Sequence, residues 1–85
     1  MDIRFAKSFQ KMLLKLPKPI QNHFWERLDL FREDQYNYLL NNHSLTGEYS
    51  GCRSINVTGD FRCIFTIQND VVWFLYIGTH SQLYE

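Results

Sequence analysis

Eighty-five residues predict one domain, residues 1–85, and a chain this short needs an aromatic-rich core to hold together. Hydrophobic residues make up 45%, and seven Phe, five Tyr and two Trp lie along the whole length, which excludes a disordered chain. The net charge is zero but unevenly spread: residues 1–18 hold five basic side chains against Asp2, and the rest hold four basic against eight acidic.

In chain order, "DIRF" alternates polar and apolar residues and predicts a short first strand. Phe5, Phe9, Met12, Leu13 and Leu16 then fall on one stripe, the pattern of an amphipathic helix that Pro17 ends. Ile20, Phe24, Leu28 and Phe31 give a second helix, whose start suits Pro17 and Pro19, and the short link predicts an antiparallel helical hairpin. Residues 35–51 are rich in Asn, Ser and Gly and predict a turn of helix at most, then an irregular connection.

From Gly51 the period becomes two. "CRSINVT", "DFRCIFTIQ" and "VVWFLYIG", joined by "TGD" and "QND", predict an antiparallel meander. The expected fold is α+β, in the order β-α-α-β-β-β, with both helices on one face of the sheet. Arg53, Ile55 and Val57 share a face of the first meander strand, and Cys52, Ser54 and Asn56 share the other, which the helices should leave open as a binding floor.

No apolar run approaches the roughly 20 residues needed to cross a bilayer. Met1 leads directly into "DIRFAKSFQK", without the pattern of a signal peptide, so the expected compartment is the cytoplasm. Cys52 and Cys63 lack metal-site spacing and read as reduced thiols; no metal or cofactor is expected. The chain has no Gly-rich phosphate loop, no HExxH and no Gly-x-Ser-x-Gly, so chemistry falls to histidine, arginine and tyrosine side chains. His80 and Tyr84 stand four residues apart just past the last strand, where a short turn would aim both at one surface. Imidazole titrates near neutrality, which suits His80 and His43 to proton transfer. On spacing alone, a surface histidine is the simpler reading of both positions, and more so for His43 in its loop. Asp60 in the "TGD" hairpin reads as a turn former or a carboxylate of a site, and Arg62 as a solvated strand residue or a phosphate ligand. Lys7, Lys11 and Lys15 form a basic stripe opposite the apolar one, either a solvated face or a track for phosphates.

The run "HSLTGEYSGCRSINVTGDFRCIFTI" followed by "VVWFLYIGTHSQLYE" resembles the RelE/ParE superfamily of bacterial toxins, most closely its YafQ-like branch. His-x-Leu-x-Gly, Gly-x-Arg, Gly-Asp-aromatic and the terminal Gly-Thr-His-Ser-x-Leu-Tyr arrive in order and at the right spacing. The resemblance implies a ribosome-dependent endoribonuclease that cuts messenger RNA by attack of a 2′ hydroxyl, without metal. It implies that His80 is the general acid, that Tyr84 stacks on a base, and that His43 or Asp60 activates the 2′ hydroxyl. Arg62 would steady charge on the phosphate, and Lys7, Lys11, Lys15, Arg53 and Asn56 would bind RNA. The resemblance further implies a cognate antitoxin, with operator DNA reached only through it.

This chain departs from the YafQ-like pattern at three positions. Asn56 replaces a histidine, Ser54 an acid and Tyr76 an arginine. The same superfamily offers two alternatives: a ParE-like gyrase poison, and a weakened relic whose remaining task is antitoxin binding.

Overall fold

Residues 1–84 are described in a computed structural model. Strand β1 (Asp2–Phe5) leads into helix α1 (Lys7–Leu14) and, after Pro17, into α2 (Lys18–Glu33), which starts with a proline in its first turn. Two single 3₁₀ turns, Tyr38–Leu40 and Gly47–Tyr49, flank the two-residue strand β2 (His43–Ser44). The meander follows as β3 (Arg53–Asn56), β4 (Phe61–Gln68) and β5 (Val71–Thr79), and a last short helix, α3, covers His80–Tyr84. Asn69 and Asp70 join β4 to β5 with φ of 52° and 65°, the left-handed pair that a two-residue hairpin of matching twist requires.

The five strands form one sheet in the order β1-β5-β4-β3-β2. The meander is antiparallel as expected, but β1 runs parallel to β5, so the sheet is mixed. Short β2 adds an antiparallel edge to β3, with His43 opposite Ser54, in a segment the sequence marks only as irregular.

One face of the sheet carries a core built on phenylalanine. Phe74 of β5 lies 5.4–5.8 Å, centroid to centroid, from Phe5, Phe9, Phe24, Phe31 and Phe65. Phe9 comes from α1, and Phe24 and Phe31 from α2, so both helical stripes meet on this one ring. Leu13, Leu28, Leu40, Ile55, Val57, Cys63, Val72 and Ile77 complete the layer.

The register of β5 changes within this layer. Phe65 pairs with Phe74 while Ile64 pairs with Tyr76, leaving Leu75 as the extra residue of a β-bulge. Its carbonyl accepts the Ser8 hydroxyl of α1 at 2.7 Å, and the Phe74 carbonyl accepts the Ala6 amide at 2.9 Å. The bulge reverses which residues face the core: Val72 and Phe74 point inward before it, Ile77 after it. Tyr76 and Gly78 are thereby turned to the opposite face.

That opposite face is less open than the alternation of β3 implies. Ser54 and Ile64 are fully buried there, outside the phenylalanine core, and Leu83 of α3 is only 4% exposed. α3 and the 3₁₀ turn at Gly47–Tyr49 act as a partial second layer. No helix among the described residues is long and apolar enough to cross a membrane.

Cys52 and Cys63 are not joined in a disulfide. Cys63 lies in the core, where burial pushes its pKa well up, and desolvation raises that of half-buried Cys52 as well. Truncating the hub, Phe74→Ala, is expected to cost about 3–5 kcal/mol in urea denaturation, since five rings lose their common neighbour. Alkylation with iodoacetamide at pH 8 is expected to modify Cys52 slowly and Cys63 only in denaturant; equal rates in the native protein would contradict the burial of Cys63.

Candidate functional site

The last strand ends at Thr79, and α3 folds back across Gly78. A Cβ at Gly78 would stand 2.9 Å from Gln82 Oε1 and 3.5 Å from a Leu83 methyl carbon, so a side chain here would push the Gln82 amide out of its place at the helix start. A reciprocal capping box starts α3. The Thr79 hydroxyl accepts the Gln82 amide at 3.2 Å, and Gln82 Oε1 accepts the Thr79 amide at 2.9 Å. The His80 amide donates to the Asp60 carbonyl at 3.1 Å, which ties the helix start to the β3–β4 hairpin. At the other end the Tyr49 phenol donates to the Leu83 carbonyl at 2.7 Å. Burial first, then the neighbouring Glu48 carboxylate, raises the Tyr49 pKa and keeps the phenol a donor. A five-residue helix is unstable alone, and these four contacts with buried Leu83 hold it.

The restraint aligns four aromatic side chains. Tyr76 of the sheet lies 6.0 Å from Tyr49, Tyr49 lies 5.8 Å edge-on from Tyr84, and Tyr84 lies 4.7 Å from the His80 ring. Tyr76 therefore supports the ring that orients Tyr84.

His80 and Tyr84 form one wall of a cleft of about 320 Å³, which is also lined by Asn41, His43, Leu45, Ser54 and Arg62. None of these seven is an acid. His43 lies on β2, where its Nδ1–H donates to the Asn41 carbonyl at 2.7 Å. A carbonyl only accepts, so Nδ1 carries the proton in the neutral ring and Nε2 is left with its lone pair free. Asn41 adopts the left-handed conformation, φ 47°, which asparagine tolerates and which aims its carbonyl at the ring. Arg62 Nη1 donates to the carbonyls of Thr58, Gly59 and Phe61 at 2.9–3.2 Å. The guanidinium is thus fixed by the hairpin backbone, with no carboxylate among these partners.

Four of the five residues expected to do chemistry converge on this cleft: His43, Arg62, His80 and Tyr84. The fifth, Asp60, does not line it; its exposed side chain sits in the hairpin turn, and its contribution to the site is the backbone carbonyl under His80. Of the residues expected to bind RNA, Arg53 donates to Asn42 Oδ1 at 2.7 Å and lies 5.8 Å from the Tyr36 ring, outside the cleft lining. Asn56 sits opposite Arg62 but does not line the cleft either. Lys7 and Lys11 are exposed on α1, and Lys15, exposed just past its end, shares a groove with Met12, Leu16, Ile77 and Gln82 of α3. Among the described residues there is no cluster of His, Cys, Asp and Glu able to hold a metal ion.

Sequence reasoning placed Ser54 on the face expected to be the binding floor, but missed Asn41 and Leu45 as lining residues and Tyr49 and Gln82 as supports. For Gln82 a signal existed, because Thr-His-Ser-Gln is a capping-box sequence. Gln82→Ala is expected to destabilise α3 by about 1 kcal/mol and to speed hydrogen exchange at residues 80–84 with little change in global Tm. Gly78→Ala, by displacing the same Oε1, is expected to give a similar local exchange pattern; protection at the wild-type level in both variants would show that the cap contributes nothing.

The family described as the bacterial toxin of type II toxin-antitoxin system, YafQ, matches residues 1–85. No curated protein sequence matches the chain. Among solved structures, YafQ from E. coli strain BL21(DE3) superposes with a TM-score of 0.84 at 20% identity, covering 99% of this chain and 98% of that one. The toxin in the E. coli DinJ-YafQ toxin-antitoxin complex gives a TM-score of 0.80 at 22% identity, covering 99% and 97%. The toxin-antitoxin complex RelBE2 from Mycobacterium tuberculosis gives 0.72 at 25% identity, covering 93% and 96%.

Proposed function

Because this chain belongs to the YafQ family of type II toxins, we propose that its cleft cuts messenger RNA on the ribosome by attack of a 2′ hydroxyl on the adjacent phosphate. The observation that carries the reading is the convergence of two histidines and a backbone-fixed arginine in one cleft with no acid in its lining. In-line cleavage needs a base, an acid and a cation, and the three side chains have those chemistries.

His43 is the better placed base. Its Nε2 lone pair takes the 2′ proton as the O2′–P bond forms, and Nδ1–H stays held by Asn41. His80, as imidazolium, gives its proton to the 5′ oxygen as the P–O5′ bond breaks. The products are a 2′,3′-cyclic phosphate and a free 5′ hydroxyl. Arg62 meets the charge that develops on the phosphate through the N–H groups that its three carbonyl partners leave unused. Tyr84 offers a ring for a base beside the scissile bond, at an angle fixed by Tyr49. Asp60 serves this reaction by anchoring the His80 backbone.

The small cleft leaves alignment of the substrate to the ribosome, which holds the messenger extended and contributes orientation that 85 residues do not supply. Lys7, Lys11 and Lys15 would track phosphates of ribosomal RNA, with Lys15 next to α3. The solved toxin-antitoxin complexes support a cognate antitoxin as the partner that restrains this chain.

The test is induction of the wild type, His80→Ala and His43→Ala in a bacterial host without antitoxin, with primer extension on an abundant messenger. New cuts inside the translated frame are expected for the wild type, falling by about 10²–10⁴ for either variant. Arrest without cuts would overturn the nuclease reading. Asp60→Asn keeps the backbone carbonyl and is expected to retain most of the activity; a loss as large as that of His43→Ala would reassign the base to Asp60.

A further inference from the structure

We infer that the Ser54 hydroxyl is a substrate contact in this cleft, donating a hydrogen bond to a phosphate oxygen of the bound strand beside Arg62. The inference deepens the nuclease reading above and rests on it.

Ser54 is fully buried and is one of the residues that line the cleft. Its Oγ has no hydrogen-bond partner among the described residues. β3 is an interior strand, paired with β2 on one side and β4 on the other. The hydroxyl therefore stands apart from the ladder, directly across from His43 and from the apolar Ile64. A buried hydroxyl without a partner lowers stability, and alanine at this position would avoid the loss.

The surroundings define what the hydroxyl would meet. Arg62, on the neighbouring strand and two pairs along on the same face, is the permanently charged group in the lining, and none of the described lining residues is an acid. An anionic oxygen is the ligand that such a field favours, and a serine O–H is a donor suited to it. Asn56 also carries a buried unpartnered atom, but it is the acceptor Oδ1 and lies outside the lining, so it is no match for phosphate.

Three measurements on wild type and Ser54→Ala test this: thermal denaturation, binding of a single-stranded 2′-O-methyl RNA, and cleavage of a messenger on programmed ribosomes. The 2′-O-methyl strand cannot be cut from within, so its binding is read separately from catalysis. Ser54→Ala is expected to melt at or above the wild-type temperature while binding the strand about tenfold more weakly and cleaving correspondingly less. In the wild type, the strand is expected to shift the backbone amide resonance of Ser54. Wild-type binding and cleavage in Ser54→Ala would overturn the inference and leave the nuclease reading intact. A wild type that binds without cutting, with binding weakened in Ser54→Ala, would support the contact and overturn the nuclease reading. A lower melting temperature in Ser54→Ala, or an unmoved Ser54 resonance at saturation, would show the hydroxyl to be structural. Failure of the wild type both to bind and to cut would overturn both.

Discussion

The bulge at Leu75 is the constraint on which the two faces of this molecule depend. A regular strand would send Tyr76 and Gly78 to the same side as Phe74, into the phenylalanine core. One extra residue turns the second half of β5 over, so a single strand supplies the hub of the core and then, on the other face, the surface on which α3 lies. The carbonyl of the bulge is held by Ser8, so the packing of α1 and the inversion of β5 support each other.

The cleft inherits its geometry from that inversion. Gly78, turned outward, gives α3 a surface without a side chain to lie on, and the capping box, Tyr49 and buried Leu83 fix it there. His80 and Tyr84 then occupy definite positions although they belong to the last turn of the chain. Terminal segments are ordered where hydrogen bonds and burial tie them down, and here both occur. The opposite wall is built in the same way from short pieces: β2 holds His43 against β3, and the Asn41 carbonyl selects its tautomer.

The charge distribution matches this division of labour. The excess of basic residues lies in the first 18 positions, on β1, α1 and the link to α2, while the cleft itself contains a single arginine and two histidines. The basic surface and the candidate cleft are therefore carried by different elements. Lys15, beside Gln82, is where the two adjoin.

The sequence by itself determined the two helices, the three long strands and their apolar faces, because periods of 3.6 and 2 are properties of local spacing. It also determined the candidate set His43, Asp60, Arg62, His80 and Tyr84, through motifs whose order is legible without a fold. The tertiary structure alone decided that β1 runs parallel to β5, since strand pairing is a long-range choice that no local pattern encodes. It separated Asp60 from the four residues that line the cleft, because a hairpin turn points its side chain to solvent while its carbonyl points to α3. It also brought Ser54 into the site, where alternation gave only its face and burial without a partner gave its chemistry. Composition and spacing report what a residue is able to do; the bulge, the cap and the packing of α3 decide which residues face one another across the same few ångströms.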